Sequence, residues 1–283
     1  MFFGIGGFHG GEGDDTADNW YIENVLEELD WPTEFIFAPD GQQLLYFFNQ
    51  TGDSENVQFV ATNLVTLINI TGSGDELASN IFFGGITFAT SARSTYSPHG
   101  VPSGGDWGLE RDAAIMLQDT SFVNFDGCLF TKLDGNGVML NGFNLNTTIQ
   151  NSEFSYIGNT AMGAWGITDY WNGTDLNVPQ YTNILYNLCH EIGHYEKQSA
   201  CWFQAKTTLS NLVGNIFFNV PRAAINFNDG FGGGNNVEQC LVFNTCREST
   251  DHGPINSWSV LLTVMMSFLS YYTGIACRFS LQC

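Results

Sequence analysis

An all-β solenoid, in which short strands coil into stacked rungs, is the fold class the sequence predicts, and three observations predict it. First, five segments align under one another: 120–142, 143–166, 181–205, 206–230 and 234–258. Each runs as apolar strand, polar turn, apolar strand, Gly/Asn/Asp turn, apolar strand. Second, the likeness has a period, with Gly127 and Asn151 standing 24 residues apart and Asn215 and Gln239 standing 24 apart again. Self-similarity at such a period marks a repeat architecture. Third, the strands are short and bounded by Gly and Asn, with few helix signals between them, so the coil is β rather than helical.

Composition agrees. The 283 residues suffice for one β domain with a sizeable core. Thirty-two Gly against 7 Pro, in a chain that is 43% hydrophobic, fit many tight turns with positive φ rather than disorder. Aromatics reach 14%, with 24 Phe, as expected where large side chains stack from rung to rung. The net charge of −21, with only 8 Lys and Arg, excludes nucleic acid as a partner, since phosphates need basic patches. It also weighs against a strongly anionic glycan unless a cation bridges. The acidic surface reads as solubilising.

Taken in order, residues 1–55 are an N-terminal irregular segment with a helix and a hairpin, 56–258 the coil, and 259–283 an apolar tail. The opening MFFGIGGFHGG has neither the basic start nor the apolar run of a signal peptide, and reads like the inside of a longer β protein. Ile22, Val25, Leu26 and Leu29 fall on one helical face, with Asp18 or Asn19 as cap and Pro32 beyond the end. Over 34–49, two aromatic strands flank Pro39-Asp40-Gly41, a hairpin signal. Residues 56–74 supply a first strand pair and 80–92 a further rung strand. The period then breaks at 93–112, a long polar loop with His99, Trp107 and Arg111, and again at 166–180, with Asp169, Tyr170, Trp171 and Asp175. Long loops in compact domains serve a function or stay disordered. The Trp faces suit sugar contact; a packed lid without ligand is the alternative. The uncharged run 259–277 just reaches transmembrane length. It reads as a span, a capping strand pair or non-native sequence, with the ladder stopping at Trp258.

Seven cysteines without a CxxC argue against zinc ribbons and thioredoxin chemistry. Cys128, Cys189 and Cys240 fall at similar places in three rungs, so buried free thiols and few or no disulfides are expected. Sequons at Asn49, Asn69, Asn146 and Asn172 hint at an extracellular or secretory location. HEIGH (190–194) resembles a zinc motif only superficially, because the segment is not helical. His190 and His194 read as packed or solvent-facing, and no metal site is predicted.

The chemistry-bearing residues emerge when the third strand of each rung is aligned on Val138, Met162, Cys201, Ile225 and Pro254. The turns before this strand lengthen at 193–198 and 246–253, giving two ridges beside the short turn at Arg222. The groove between them is expected to hold His194, Glu196, Lys197, Gln198, Arg222, Glu248, Asp251 and His252, with Asp229 across the strand. Glycosidic hydrolysis needs two carboxyls, one protonated and one ionised. Asp229 and Asp251 are the first pair, with Glu196 and Glu248 as substitutes. Arg222 and Lys197 lower the pKa of a neighbouring carboxyl. Lys197, Gln198, Arg222, His252 and the indoles of Trp107, Trp165, Trp171 and Trp258 are the substrate-binding candidates. Asp229 and Asp251 lie at opposite ends of their strands, so the pair requires turns that curve inward. Asp134, in LDGNG, reads as a corner residue, because Asx side chains cap turns.

The block WYIENVLEELDWPTEFIFAPDGQQLLYFFN (20–49) and the rungs LDGNGVML, IQNSEFSYIG and DHGPINSW resemble the right-handed parallel β-helix proteins of the pectate-lyase-like superfamily, which include β-helical glycoside hydrolases. Pro32-Thr33-Glu34 departs from that group's Pro-Gly-Glu turn. The resemblance covers roughly 4–258 and implies a right-handed β-helix and a polysaccharide or oligosaccharide substrate. It also implies acidic residues on the strand-and-turn face as acid and nucleophile, for which Asp229 and Asp251 are the matching positions. The leading expectation is a glycoside hydrolase without cofactor. A polysaccharide lyase or uronate epimerase, using Lys197 or Arg222 beside a Ca-bridged uronate, is the second. A non-catalytic glycan-binding or surface β-helix is the third.

Overall fold

The structure is a computed structural model that describes residues 23–38, 41–48, 57–73, 76–102, 107–169, 172–228, 232–249, 252–257 and 264–267. The chain divides into two compact units, 17–62 and a second comprising 1–16 and 63–283.

In the smaller unit the expected hairpin forms. Strands Phe35–Phe37 and Leu44–Tyr46 pair antiparallel. Gly41, with φ +67°, donates its N–H to the Ala38 carbonyl at 2.7 Å and closes the turn. The helix expected around Val25–Leu29 is not there. Among the described residues only a single 3-10 turn, Leu26–Glu28, stands in its place. Asn24 has φ +62° and Val25 is extended, so two consecutive residues leave helical geometry just where the apolar face should begin. The periodicity is present, but no side chain caps the turn, and one turn without a cap gains too few hydrogen bonds to propagate.

The larger unit is a parallel coil. A 16-stranded sheet folds into two flanks, and a 6-stranded sheet stands beside them. The first flank takes one strand from each coil: Ile68–Thr71, the start of Ala113–Asp126, the start of Asn136–Leu145, Met162–Trp165, Trp202–Ala205, Ile225–Phe227 and Ile255–Ser257. The second flank carries Asn124–Asp126, Thr148–Gln150, Asn183–Leu185, Asn211–Val213 and Asn235–Glu238. The six-stranded sheet follows with Thr87–Ala89, Leu129–Leu133, Glu153–Ile157, Leu188–Ile192, Ile216–Phe218 and Leu241–Phe243. Every neighbour in these ladders is parallel, and the chain visits the three sides in the same order in each coil. The HEIGH segment is the strand Leu188–Ile192 and its turn, not a helix, and the His190 ring stacks on Phe218 at 5.0 Å.

The corner between the second flank and the six-stranded sheet sets the repeat. Gly85, Gly127, Asn151, Tyr186, Gly214 and Gln239 all have positive φ there. Gly214, not Asn215, is therefore the equivalent of Gln239. Immediately after these residues runs a column of polar side chains. The Ser152 hydroxyl accepts from Cys128 N, Asn187 Oδ1 from Ser152 N, and Asn215 Oδ1 from Asn187 N, each at 3.0 Å. The Asn187 and Asn215 amides in turn donate to the carbonyls of Ile149 and Ile184 at 2.8 Å. All three side chains are buried.

Inside, aromatic side chains stack from coil to coil. Phe88, Phe130 and Phe154 lie with centroids 5.0 and 4.4 Å apart, and Phe83 stacks on Phe125 at 4.8 Å. Parallel strands repeat at about 4.8 Å, so identical rings at identical positions meet face to face. Each such pair adds roughly 0.5–1.5 kcal/mol to the area it buries.

Two registers differ from the sequence alignment. Met162 pairs with Trp202 rather than Cys201, and Ile225 with Ile255 rather than Pro254. In both coils the preceding turn is one of the long ones, and it absorbs one residue more than alignment by apolar pattern allows. A one-residue slip exchanges the two faces of a strand. Cys201 thereby leaves the strand, and its sulfur bonds to Cys189 across a Cα separation of 6.0 Å. Cys189 sits in the phenylalanine column, paired with Phe154 and Phe217, whereas Cys128 and Cys240 occupy the polar corner column as free thiols. The ladder also continues past Trp258: Val264–Ser267 pairs in parallel with Asn235–Glu238. The rest of 259–277 lies outside the described residues. Among those described, no helix is long and apolar enough to cross a membrane.

The disulfide ties Cys189, in the strand Leu188–Ile192, to Cys201 at the end of the following turn, at a sequence separation of 12. Closing a loop of that size stabilises by roughly 3 kcal/mol. Replacing both cysteines by Ala is expected to lower Tm by several degrees and leave the circular dichroism unchanged. An unchanged Tm, or alkylation of Cys189 in the native protein, contradicts the crosslink.

Candidate functional site

The turns that lead from the six-stranded sheet into the first flank form a ridge of unequal height, and the 93–112 loop lies along it. The loop's short strands His99–Gly100 and Leu109–Glu110 pair antiparallel. At its start Asp134 Oδ1 accepts from Ser94 N and Thr95 N at 2.9 and 3.0 Å, with Arg93 Nε 3.6 Å from the other oxygen. Asp134 thus caps the start of the distant loop and not its own corner, which is where the sequence placed its role. One coil on, Thr95 Oγ1 donates to Asn159 Oδ1 at 2.6 Å. Further along, His99 Nε2 is 3.6 Å from Glu196 Oε2, and Gly108 N donates to Gln198 Oε1 at 3.3 Å. Trp107 then covers Arg222, with the guanidinium 4.0 Å from the ring centroid.

These contacts close the groove expected from the sequence. Glu196, Gln198, Arg222 and Trp107 are each 2% exposed or less. They form one cluster with His252, whose Nε2 is 3.3 Å from Arg222 Nη2 and whose ring is 5.6 Å from Trp107, and with Phe203, edge-on to Trp107 at 5.7 Å. His252, not Asp251, stands level with Arg222, as the corrected register requires. Burial takes a guanidinium out of water at a cost, which its position over the indole offsets: a desolvated cation–π contact contributes about 2 kcal/mol.

The other candidates separate from this cluster. Lys197 Nζ meets Glu248 Oε2 at 2.7 Å and donates to the Gly193 carbonyl at 3.1 Å, on the outside of the ridge. His194 faces the same side, its pKa lowered by burial and by Lys197. Trp165 lies beneath Arg111, 3.8 Å from its centroid, while that guanidinium also donates to Asn141 Oδ1 and to the Trp165 and Gly166 carbonyls. Burial lowers the Arg111 pKa to about 10. Asp229, Asp251, Trp171 and Trp258 lie outside the described residues.

Two groups not singled out in the sequence prove central. Asn226 pairs in register with Phe203, fully buried, and accepts from Asn256 Nδ2 at 2.8 Å. Its own Nδ2, and Trp107 Nε1, are buried donors without an acceptor among the described residues. Trp107 packs edge-on to Phe203, and Asn226 is the strand neighbour of Phe203. Buried polar atoms are nearly always bonded, so these two orphan donors suit a ligand rich in oxygen. The signal was available in the strand Ile225-Asn226-Phe227: a polar residue between two core residues points to the other face.

Glu110 is the second. Its Oε1 accepts from Asn136 N, Asn159 Nδ2 and Ser94 Oγ at 3.2, 2.9 and 3.4 Å. Oε2 has no partner among the described residues. Burial, aided by Asp112, raises the pKa from 4.5 to about 8, against the lowering effect of those donors. Glu110 is therefore a neutral acid at pH 7 that ties the loop to two coils.

No family model matches the sequence, and no curated protein does. Among solved structures, one titled "Glycoside hydrolase" matches with a TM-score of 0.70 at 16% identity, over 86% of this chain. The chain spans about half, 49%, of that structure. The two share their fold.

A carboxyl whose folded pKa exceeds its unfolded one binds more protons folded than unfolded. Its stabilising contribution is complete below about pH 4.5 and is lost as the pH rises toward about 8. The slope is about 1.4 kcal/mol per unit where only the folded form is protonated. Glu110→Gln, which mimics the neutral acid, is expected to raise Tm relative to wild type increasingly from about pH 4.5 to about pH 8 and by a constant amount above that. Parallel Tm curves for the two proteins would show that Glu110 is ionised in the fold.

Proposed function

We propose that the coil is a right-handed parallel β-helix that acts on a carbohydrate chain, and that it does so as a glycoside hydrolase. The orphan donors beside Phe203 carry this reading. Trp107 Nε1 and Asn226 Nδ2 offer hydrogen-bond donors, and the Trp107 and Phe203 rings an aromatic wall, where sugar hydroxyls supply acceptors. The likeness in fold to a protein titled a glycoside hydrolase supports it. The sequons fit an extracellular or secretory setting.

In this reading Asp229 and Asp251 flank the cluster in sequence. Asp251 precedes His252, and Asp229 follows Asn228, whose N–H is held by the Gln204 carbonyl at 2.9 Å. One carboxyl donates its proton to the glycosidic oxygen as the bond breaks. The other, ionised, attacks the anomeric carbon or takes a proton from the attacking water; their separation decides which. Arg222 favours the ionised form of the nearer carboxyl. Access requires the 93–112 loop to move, because Trp107 covers Arg222.

The burial of Glu196, Gln198 and Arg222 under that loop withholds them from a substrate, and so favours a second reading, a coil that binds glycan elsewhere on its surface without cleaving it.

Reducing-end release from a panel of soluble polysaccharides separates the two. Asp229→Asn and Asp251→Asn are each expected to lower turnover by roughly 10²–10⁴-fold with Tm unchanged. Equal rates in wild type and both variants would remove the carboxylate pair. Glycan binding without product assigns the chain to the binding reading, and unsaturated products lost on chelation assign it to a lyase.

A further inference from the structure

The same edge of the coil carries a cleft that shares no residue with the Trp107–Arg222 cluster. Its volume is about 360 Å³, and Ser91, Lys132, Asp134, Tyr156, His194 and Tyr195 line it, with Gly158 among them. Pockets that hold small ligands begin at roughly this size.

The coil geometry builds it. Tyr156 has φ +54° near the end of its strand, and its side chain is 53% exposed. The His194 ring stacks on it, with centroids 6.1 Å apart and planes at 18°. Tyr195, 38% exposed, is fixed by its N–H to the Gly158 carbonyl at 2.9 Å. A Cβ on Gly158 would lie 1.5 Å from the Asp134 carbonyl oxygen and 2.7 Å from Tyr195 Cδ2. Glycine therefore lets the two coils and the Tyr195 ring close up here. Arg93 spans the wall, 3.6 Å from Asp134 and 5.8 Å from the Tyr195 centroid. The rings are thus held in place before any ligand arrives, which lowers the entropy cost of binding.

We propose that this cleft holds a residue of a neutral glycan chain, with the sugar's C–H face against Tyr156 and Tyr195 and its hydroxyls on His194 and Ser91. The proposal rests on the carbohydrate reading above and adds to it a binding place apart from the Trp107–Arg222 cluster.

Charge selects the neutral ligand. Of the two cations at the cleft, Arg93 is committed to Asp134, whose Oδ1 is filled by two backbone donors, and Lys132 is exposed to water, which screens its charge. His194, its pKa lowered by burial and by Lys197, has one ring nitrogen hydrogen-bonded to the Glu191 backbone and presents the other to a hydroxyl. The net charge of −21 repels a polyanion over the whole surface.

The test is affinity electrophoresis and calorimetry of the full chain with laminarin, xylan, galactomannan and hydroxyethylcellulose as neutral probes, and polygalacturonate as the anionic one. Wild type is expected to bind at least one neutral probe and not polygalacturonate. Tyr156→Ala and Tyr195→Ala, both at exposed positions, are each expected to weaken binding by about tenfold at unchanged Tm. The proposal is overturned by any of three results: no neutral probe binds wild type, the double variant binds as wild type does, or polygalacturonate is bound in a tyrosine-dependent way. Turnover of short oligosaccharides in the same proteins keeps the two readings apart. Tyrosine-dependent binding without turnover sinks the hydrolase and leaves the cleft, whereas turnover with tyrosine-independent binding does the reverse.

Discussion

A buried hydrogen bond at one corner of the coil governs the rest of the larger unit. Where the chain leaves the second flank it turns through a left-handed residue, and the next backbone N–H points along the coil with no strand opposite it. In three successive coils that donor is met by a side chain from the coil that follows: Ser152, then Asn187, then Asn215. A buried donor left unmet costs about 1–3 kcal/mol, so each coil depends on the next for its own corner. The dependence fixes the stacking distance, and the stacking distance sets Phe88, Phe130 and Phe154 ring on ring. The aromatic column supplies the larger energy; the polar column decides the register in which that energy is collected.

The 93–112 loop exploits the same regularity from outside. Because the ridge of turns advances by one strand spacing per coil, the loop meets a new polar group at regular intervals. It binds Asp134, Asn159, Gln198 and Arg222 in turn. Its contacts are individually modest, yet together they bury a guanidinium, a glutamine and two carboxyl groups. A protonated Glu110 reduces the cost, since a neutral acid carries no desolvated charge. The loop is thus attached mostly through polar contacts over a ridge whose backbone is already satisfied. Such an attachment opens more readily than a strand of the coil, where opening would orphan backbone groups on both sides.

The coil itself was legible because its causes are local and repeated: alternating core positions, Gly and Asn at left-handed corners, and rings at matching places. The failures are local too. The long turns before Trp202 and Ile255 carry one residue more than the apolar pattern shows, and nothing in the pattern distinguishes Cys201 as a strand residue from Cys201 as a turn residue bonded to Cys189. Leu26 and Leu29 satisfy a helical period, but φ +62° at Asn24 depends on surroundings the period does not encode. In the candidate site, the structure brings Arg222, Gln198, Glu196 and His252 together along one ridge, but their burial has no signature in the sequence. It depends on where a loop a hundred residues earlier comes to rest. Glu110 escaped notice for the same reason, since its neighbours Asn136 and Asn159 lie in other coils.

The chain's acidity sharpens what this edge can bind. Most of the few cations described are held: Arg93 by Asp134, Lys197 by Glu248, Arg247 by Glu191, Arg111 under carbonyls, and Arg222 against an indole and an imidazole. A cation already facing a carboxylate contributes little net field, but it orients its partner's lone pairs and keeps its own remaining N–H groups in fixed directions. With only Lys132 exposed at the cleft and a net charge of −21 over the chain, such a mosaic offers a polyanion little attraction. It matches instead a ligand whose polar groups are both donors and acceptors and whose remaining surface is C–H. Aromatic rings set among paired charges, as Tyr156 and Tyr195 are, complete that description, which is the chemistry of an uncharged sugar.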